Sequence, residues 1–273
     1  MSIDQDTDIY GVIGHPLTHS LSPTMQNAAF LEKGLNAIYL AFETRSLEDA
    51  LKGIRSLGIK GVSVTIPHKA SVIPMLDHVD DLARHIGAVN TIVNDQDRLV
   101  GYNTDALGAL EAIKEKTEVF GKTSLILGAG GAARAIGYIL KEHGANLTIA
   151  NRTRVRGEEL ADFLECPFIP LENAMDLQVD LLIQTTSVGM YPHIKESIVS
   201  SEALKPGEVV MDIVYNPIET KLLNIAKDRG CVTINGLGMF VRQGAEQFRL
   251  WTGLEAPMET MRSAVEDALR TSG

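Results

Sequence analysis

Two short segments of this chain combine residue types and spacings that suit the binding of a charged ligand. Residues 123–133 read TSLILGAGGAA, an apolar strand followed by a glycine turn and the start of a helix. In such a turn Gly128 allows the tight bend, Gly130 lets the backbone approach a pyrophosphate, and Ala133 keeps the helix close to the sheet. This first segment therefore predicts a dinucleotide-binding unit.

The second segment follows the next apolar strand, residues 146–150. An NAD-binding fold places an acidic residue here, where it holds the ribose 2′-hydroxyl. This chain instead has a basic run, which comprises Asn151, Arg152, Thr153, Arg154 and, two residues on, Arg156. Cations at this position favour a 2′-phosphate, so the sequence predicts NADP(H) as the cofactor.

Four polar clusters fall where predicted strands end, and they are the candidates for substrate chemistry. They occupy residues 19–23, 63–69, 90–91 and 101–105. In open α/β sheets, ligands bind outside the carboxyl ends of the strands, often between domains. We therefore expect the four clusters to converge on one cleft that faces the nicotinamide.

The first cluster, HSLSP at residues 19–23, has two interpretations. Ser22 could cap the following helix, with Pro23 at its first position. The hydroxyls of Ser20 and Ser22, together with the N–H groups at a helix start, would also form a donor-rich cradle for a carboxylate. The two interpretations are compatible with each other.

Lys69 and Asp105 are the candidates for acid–base chemistry. A proline ends the strand before them, so that Thr65 and Lys69 emerge at its carboxyl end. Reduction of a ketone needs a hydride donor and a proton donor at the carbonyl oxygen. Lys69, oriented by Asp105, would supply that proton and stabilise the developing alkoxide. Alone, Lys69 could be a surface charge and Asp105 a helix cap. His68 and His19 are the competing acids.

The composition limits the classes of protein to which the chain can belong. Its 273 residues are 45% hydrophobic and 22% charged, which is typical of a globular protein. The formal net charge of −10 argues against a nucleic-acid partner, and no apolar run approaches the roughly 20 residues that span a membrane. Two cysteines, Cys166 and Cys231, make neither a disulfide framework nor a zinc site, and we predict no metal. We expect a cytoplasmic protein.

Strand-like apolar runs alternate with helix-period segments nearly throughout, which is the pattern of an α/β fold with parallel strands. A hairpin is predicted over residues 91–93 and 99–101, and two closing amphipathic helices over 239–251 and 257–270. We predict two domains. Residues 1–105, completed by helices in 238–273, form a substrate-binding catalytic domain, and residues 106–237 form a Rossmann-like NADP-binding domain.

Along essentially the whole chain, the sequence resembles the shikimate dehydrogenase family. The segments that carry the resemblance are GVIGHPLTHSLSP, SVTIPHK, IGAVNT, GYNTD, LGAGGAARA, NRT, TTSVGM, DIVYNP and NGLGMFVRQGAEQF. The resemblance implies reversible NADP-linked reduction of 3-dehydroshikimate to shikimate, in the shikimate pathway of aromatic amino-acid biosynthesis. It also implies the two-domain architecture.

The resemblance further implies a role for each matched residue. Lys69 and Asp105 would be the catalytic pair, and Ser20 and Ser22 would bind the substrate carboxylate. The other substrate positions are Thr65, Asn90 and Gln243 at the ring hydroxyls, and Tyr215 closing the site from the cofactor side. The cofactor positions are Gly128, Ala129, Gly130, Gly131 and Ala132 at the pyrophosphate; Asn151, Arg152, Thr153 and Arg156 at the 2′-phosphate; Ile213 and Gly236 at the nicotinamide end; and the peripheral Asp81.

Two alternatives remain open at this point. The chain could be a quinate/shikimate dehydrogenase of broader substrate and cofactor scope, although the basic residues at 151–152 argue against NAD. It could also be a non-catalytic module that senses the dinucleotide, against which the presence of both Lys69 and Asp105 argues. Either a monomer or a homodimer is compatible with the sequence.

Overall fold

The computed structural model describes residues 3–271, apart from the side chain of Met175. The chain divides into two compact units, Met1–Thr104 with Gln243–Gly273, and Asp105–Arg242. The predicted division differs from this one by one residue at the first boundary and by five at the second. The second difference arises because a single long helix, Gly236–Thr252, spans that boundary.

Strands and helices alternate along much of the described part of the chain. The strands are β1 Asp8–Gly14, β2 Ala37–Glu43, β3 Gly61–Val64, β4 His78–Val79, β5 Thr91–Asp95, β6 Arg98–Tyr102, β7 Thr123–Leu127, β8 Asn146–Asn151, β9 Phe168–Pro170, β10 Leu181–Gln184, β11 Val209–Asp212 and β12 Val232–Ile234. The helices are α1 Ser22–Glu32, α2 Leu47–Ser56, α3 Asp81–Ile86, α4 Asp105–Lys114, α5 Gly131–Glu142, α6 Arg154–Leu164, α7 Lys221–Asp228, α8 Gly236–Thr252 and α9 Met258–Thr271.

The first unit is built on a mixed six-stranded sheet in the order β2-β1-β3-β5-β6-β4. Strand β1 runs parallel to β2 and β3, whereas β5 runs antiparallel to β3 and β6. The predicted hairpin is therefore confirmed as β5–β6. A core of buried aliphatic side chains, among them Ile13, Val62 and Ile92, packs around these strands, because their apolar residues lose contact with water there.

The C-terminal helices complete the first unit, as predicted. The Trp251 indole N–H donates to the Ile92 carbonyl over 3.0 Å, and the rings of Phe248 and Phe30 lie 5.6 Å apart. Helix α9 packs against α1. Aromatic side chains bury large apolar areas, so these contacts hold the end of the chain on the sheet formed near its beginning.

Side chains cap the starts of α2, α3 and α7, whereas the start of α1 differs from the sequence prediction. The Ser46 side chain accepts from the Asp49 N–H at α2, and Asp80 accepts from the Leu82 N–H at α3. At α1 the N-cap is Leu21 and no side chain caps the helix, so Ser22 is the first helical residue. The expectation that Ser22 is the N-cap is therefore wrong by one position.

The second unit carries a six-stranded sheet in the order β12-β11-β10-β7-β8-β9, and all its strand pairs are parallel. Its central strands are buried and almost wholly apolar, as expected when helices cover both faces of a parallel sheet. The strand order reverses beside β7, which is where such sheets bind dinucleotides. The predicted α/β fold in two domains is confirmed.

No helix within residues 3–271 is long and apolar enough to cross a membrane. The strands β4 and β9, of two and three residues, are additions to the sequence prediction. Both lie at sheet edges, and such short segments contain too few residues to show the two-residue alternation of a strand.

Asp212, at the end of β11, is a buried carboxylate that holds three segments of the second unit together. It accepts from the Thr220 hydroxyl over 2.7 Å, from the Val214 N–H over 3.0 Å and from the Gln184 amide over 3.3 Å. Burial raises its pKa to about 6 from 3.8, while the bonds from Thr220 and Val214 act in the opposite direction. Removing a carboxylate from water disfavours its charged form.

This raised pKa predicts a pH-dependent contribution to stability. Between pH 3.8 and about 6 the folded state keeps a proton that the unfolded state has lost, so the contribution is complete below 3.8 and lost as pH rises through 6. We expect the unfolding free energy of the wild type, relative to Asp212→Asn, to fall by about 2–3 kcal/mol from pH 4 to 7. Urea denaturation of the wild type and of Asp212→Asn at each pH measures the two unfolding free energies. A difference between them that does not change with pH would contradict the prediction.

Candidate functional site

A cavity of about 460 Å³ opens at the carboxyl ends of the central strands of the second unit. It brings together seven of the predicted cofactor residues, which are Gly128, Ala129, Gly130, Asn151, Arg152, Thr153 and Arg156. Gly131 and Ala132 form the first turn of α5 and are not among the lining residues. The glycine turn and the basic run, separate in sequence, thus face the same space.

The glycine turn has the geometry that a phosphate cradle requires. Gly128 has φ of +119°, and a Cβ atom there would lie 2.5 Å from the Thr185 hydroxyl oxygen, so only glycine fits. A Cβ at Gly130, by contrast, would meet no protein atom within 4 Å. Since packing does not require a glycine at that position, the open space suits the approach of a ligand to the backbone at the N-terminus of α5.

The basic run supplies two exposed cations at the rim of this cavity. Arg152 and Arg156 line it, and among the described residues no carboxylate pairs with either of them. Arg154, between them, instead pairs with Glu158 over 2.8 Å on the first turns of α6. The chain is acidic overall, with a formal net charge of −10, so these two guanidinium groups form a local site for an anion such as a phosphate.

The loop after β10 completes the cavity; it belongs to the TTSVGM segment that carries the family resemblance, but no site residue was predicted in it. The chain after β10 contributes Thr185, Thr186, Ser187, Val188 and Ile198, and Leu171, just after β9, also lines the cavity. Gln184 shapes the loop, since its amide donates to the Thr186 and Val188 carbonyls over 3.1 Å and accepts from the Thr186 N–H. The loop could have been expected at the cavity from its position alone, because it follows β10, the neighbour of β7 in the parallel sheet.

Three further predicted residues lie near the start of α8 in the second unit. Ile213 follows β11 directly, and a side chain at Gly236 would collide with the Ile213 backbone, so glycine permits this close approach. The Tyr215 ring stacks on Phe240 with 4.3 Å between centroids and 15° between planes. Tyr215 is therefore held in one orientation by packing.

In the first unit, backbone hydrogen bonds bring Thr65, Lys69 and Asn90 together. The Val64 N–H donates to the Asn90 carbonyl over 2.8 Å, and the Val89 N–H donates to the Lys69 carbonyl over 2.7 Å. The segment after β3 is thus fastened to the segment before β5. Lys69 is half-buried, whereas Asn90 is 2% exposed.

Asp105 is the first residue of α4 and is 6% exposed. The residue before it, Thr104, is fixed to Asn90 by a backbone N–H that donates to the Asn90 side-chain oxygen over 2.8 Å. His68, a competing acid in the sequence, is buried with its Nε2 3.1 Å from the Thr44 carbonyl. That contact with the backbone gives His68 a structural role.

The remaining predicted residues lie elsewhere in the first unit. The Ser22 N–H donates to the Ser20 hydroxyl over 3.4 Å at the start of α1, and Gln243 is 9% exposed on α8. Asp81 is exposed on the first turn of α3 and pairs with Arg84 over 3.1 Å. Within residues 3–271 no group of three or more metal-ligating side chains is placed to hold a metal ion.

Comparisons with known proteins match the chain from its beginning to near its end. The shikimate dehydrogenase substrate binding domain matches residues 12–92, shikimate/quinate 5-dehydrogenase matches 111–229, and the shikimate 5′-dehydrogenase C-terminal domain matches 236–266. The NADP(+)-dependent shikimate dehydrogenase of Pyrococcus furiosus is 48% identical over 267 residues, which cover 95% of this chain and 96% of the relative.

Solved structures give the same result. A shikimate dehydrogenase in complex with NADP+ superposes with a TM-score of 0.94 at 45% identity and covers 98% of both chains. The shikimate 5-dehydrogenase of Thermus thermophilus, solved with NADP(H) and shikimate, gives 0.89 at 38% identity over 96% of this chain and all of its own. The resemblance found in the sequence motifs is confirmed, and the chain belongs to the shikimate dehydrogenase family.

Proposed function

We propose that this protein catalyses the reversible NADPH-dependent reduction of 3-dehydroshikimate to shikimate, a step of aromatic amino-acid biosynthesis. The observation that carries the proposal is the full-length match to relatives named for this NADP(+)-linked activity. The cavity in the second unit supports the cofactor half of the proposal, because it joins the glycine turn to Arg152 and Arg156, with which no carboxylate of residues 3–271 pairs. The polar cluster around Asn90 in the first unit supports the substrate half.

The cofactor would be held by groups whose chemistry fits its parts. Backbone N–H groups of residues 128–132 would hold the pyrophosphate, favoured by the dipole of α5. Arg152 and Arg156, with Asn151 and Thr153, would hold the adenosine 2′-phosphate, and the Arg152 guanidinium would stack on adenine. Ile213 and Gly236 would border the nicotinamide end, and Asp81 remains a peripheral prediction.

The chemistry at the ketone requires a hydride and a proton. NADPH, when bound, supplies the hydride. Lys69 would hold the carbonyl oxygen, stabilise the negative charge that develops there and donate its proton to the alkoxide. Asp105 would orient the Lys69 ammonium, and in the oxidation of shikimate the same lysine would accept the proton from the hydroxyl.

The substrate would be positioned through its carboxylate and its ring hydroxyls. The hydroxyls of Ser20 and Ser22 would bind the carboxylate at the start of α1. Thr65, Asn90 and Gln243 would hydrogen-bond the ring hydroxyls, and Tyr215 would close the site. We further propose a cytoplasmic monomer or homodimer without a nucleic-acid partner, in keeping with the net charge of −10.

Initial rates with shikimate and quinate, each with NADP and NAD, test the proposed function. We expect activity mainly with shikimate and NADP, because no acidic residue stands where NAD-binding folds hold the ribose 2′-hydroxyl. The absorbance of NADPH follows the reaction. Comparable rates with quinate or NAD would indicate the broader dehydrogenase instead. Tight NADPH binding without turnover in any combination would indicate a dinucleotide-sensing module.

Replacing Lys69 tests the assignment of the proton donor. Lys69→Met and Lys69→Ala should lower kcat by about 10²–10⁴-fold, since both remove a positioned general acid. The NADPH dissociation constant, measured by fluorescence titration, should stay within about twofold of the wild type, because Lys69 is assigned to the substrate and not to the cofactor.

A matched lysine at the other end of the same strand provides the control. Lys60 precedes β3, pairs with Asp8 over 3.7 Å and is exposed, so Lys60→Met removes the same charge at a site that contributes little energy. It should leave kcat nearly unchanged. Equal losses of turnover in Lys60→Met and Lys69→Met, or a parallel loss of NADPH affinity in Lys69→Met, would refute the role of Lys69.

Two neighbouring arginines allow an equally direct test of cofactor selection. Arg152→Gln should raise the KM for NADP by about 10- to 100-fold and the KM for NAD much less, because the charged hydrogen bond to the 2′-phosphate is lost for NADP alone, whereas the stacking on adenine is lost for both. Arg154→Gln removes the same charge two residues away, but Arg154 already pairs with Glu158. If both variants change the NADP-to-NAD preference equally, Arg152 is not the selector.

A further inference from the structure

A line of buried hydrogen bonds runs through the first unit and ends at Asn90. The Tyr39 phenol donates to Ser63 over 2.7 Å, and the Ser63 hydroxyl donates to the Gln247 side-chain oxygen over 2.8 Å. The Gln247 amide nitrogen donates to the Thr91 hydroxyl over 3.1 Å, and Thr91 donates to the Asn90 side-chain oxygen over 2.9 Å. We call Tyr39, Ser63, Gln247 and Thr91 the Asn90 relay. Each relay residue is more than nine-tenths buried.

Backbone groups fix the direction of these hydrogen bonds at both ends. The Gln247 nitrogen also donates to the Asn90 backbone carbonyl over 3.3 Å, and a carbonyl can only accept. The Thr104 backbone N–H can only donate, and it points to the Asn90 side-chain oxygen over 2.8 Å. The amide groups of Gln247 and Asn90 therefore cannot be reversed without leaving a buried polar group unpaired, which is costly.

These two constraints determine the direction in which each hydroxyl group of the relay donates its hydrogen. Because Thr91 receives a hydrogen from Gln247, its own hydrogen is directed to Asn90. Because the Gln247 oxygen can only accept, Ser63 must donate to it and in turn accepts from Tyr39. Burial raises the pKa of the Tyr39 phenol well above its usual range, which keeps the phenol in its donor form.

We propose that the Asn90 relay fixes the Asn90 amide as a hydrogen-bond donor to a ring oxygen of the substrate. The oxygen of the Asn90 side chain is occupied from inside the unit by Thr91 and Thr104. Its nitrogen donates one hydrogen to the Thr104 hydroxyl over 3.0 Å, and within residues 3–271 it has no second acceptor. The other N–H is thus available to a ligand. This inference rests on the proposed function, which assigns Asn90 to the substrate.

Thr91, Gln247 and Ser63 are accordingly positioning residues that act through Asn90. Gln247 lies one helical turn after Gln243 on α8, so the helix carries one glutamine assigned to the substrate and one that supports the substrate site from behind. A donor held in a fixed direction selects an oxygen acceptor in the ligand, because a ligand without one leaves a buried amide unpaired. The relay therefore contributes to recognition of the ring hydroxyls.

Thr91→Val and Thr91→Ser form the central pair of variants. Valine keeps the shape and removes the hydroxyl, so shikimate should bind about five- to tenfold more weakly by calorimetry, with KM raised equally and kcat within about twofold. Serine retains the hydroxyl and should restore the wild-type values. Thr252→Val on α8 also removes a hydroxyl, one that donates to the Phe248 carbonyl over 2.8 Å, and should change neither constant.

Two further measurements distinguish positioning from a general loss of structure. In an Asn90→Ala background, Thr91→Val should weaken shikimate binding no further, because the residue through which it acts is gone. Gln247→Met should lower the affinity for shikimate as much as Thr91→Val does. The double variant Gln247→Met/Thr91→Val should bind shikimate no more weakly than either single variant. NADPH affinity and the melting temperature of each variant show whether the fold is intact.

The outcomes separate this inference from the proposed function. If the wild-type protein binds shikimate but does not turn it over, the proposed function is refuted. Calorimetry of Thr91→Val and Thr91→Ser then still tests whether the relay positions Asn90. If the wild type turns over shikimate normally and Thr91→Val binds shikimate with unchanged affinity, the relay is refuted while the proposed function stands. An additional loss in the Asn90→Ala background also overturns it, because Thr91 would then act by another route.

Discussion

The hydrogen bonds of Asn90 hold together the segments that carry the substrate residues of the first unit. Its backbone carbonyl accepts from the Val64 N–H at the end of β3, and its backbone N–H donates to the Tyr102 carbonyl at the end of β6. Its side chain binds Thr104, which immediately precedes Asp105. Two of these links use backbone groups, and the third needs a side chain that accepts from the Thr104 N–H and donates to the Thr104 hydroxyl, which an asparagine amide can do. Asn90 thus fixes the backbone of the residues that immediately precede Thr65 and Asp105.

The two proposed binding regions differ in how exposed their polar groups are to a ligand. The cofactor cavity is open, it is formed by glycines that keep side chains out of the way, and its charges are exposed arginines. The Asn90 region is buried, and its polar groups are satisfied by one another. This difference suits the ligands that the proposed function requires. A highly charged dinucleotide gains from exposed cations and backbone N–H groups, whereas the hydroxyls of a small ring are distinguished by donors and acceptors of fixed direction.

Much of the fold could be predicted from the sequence, because its signals are local. The buried apolar runs of β7 and β8 and the glycines after β7 indicate a parallel dinucleotide-binding sheet before any contact is known. The short strands β4 and β9 were missed because they exist only through pairing with a neighbouring strand. The boundary inside α8 was likewise not visible, since the helical pattern continues across it.

For the candidate site, the sequence predicted residues that belong to recognisable motifs, but not those that support them. The loop of Thr185 to Val188 was noticed as part of the TTSVGM segment, but its place in the cavity was not predicted because that depends on the order of strands in the sheet. Gln247 was missed for a different reason. On an amphipathic helix a glutamine is normally taken for a surface residue, and only the structure shows it buried against Ser63 and Thr91. A buried polar residue on the apolar face of a helix requires partners, and at Gln247 those partners lead directly to the residue assigned to the substrate.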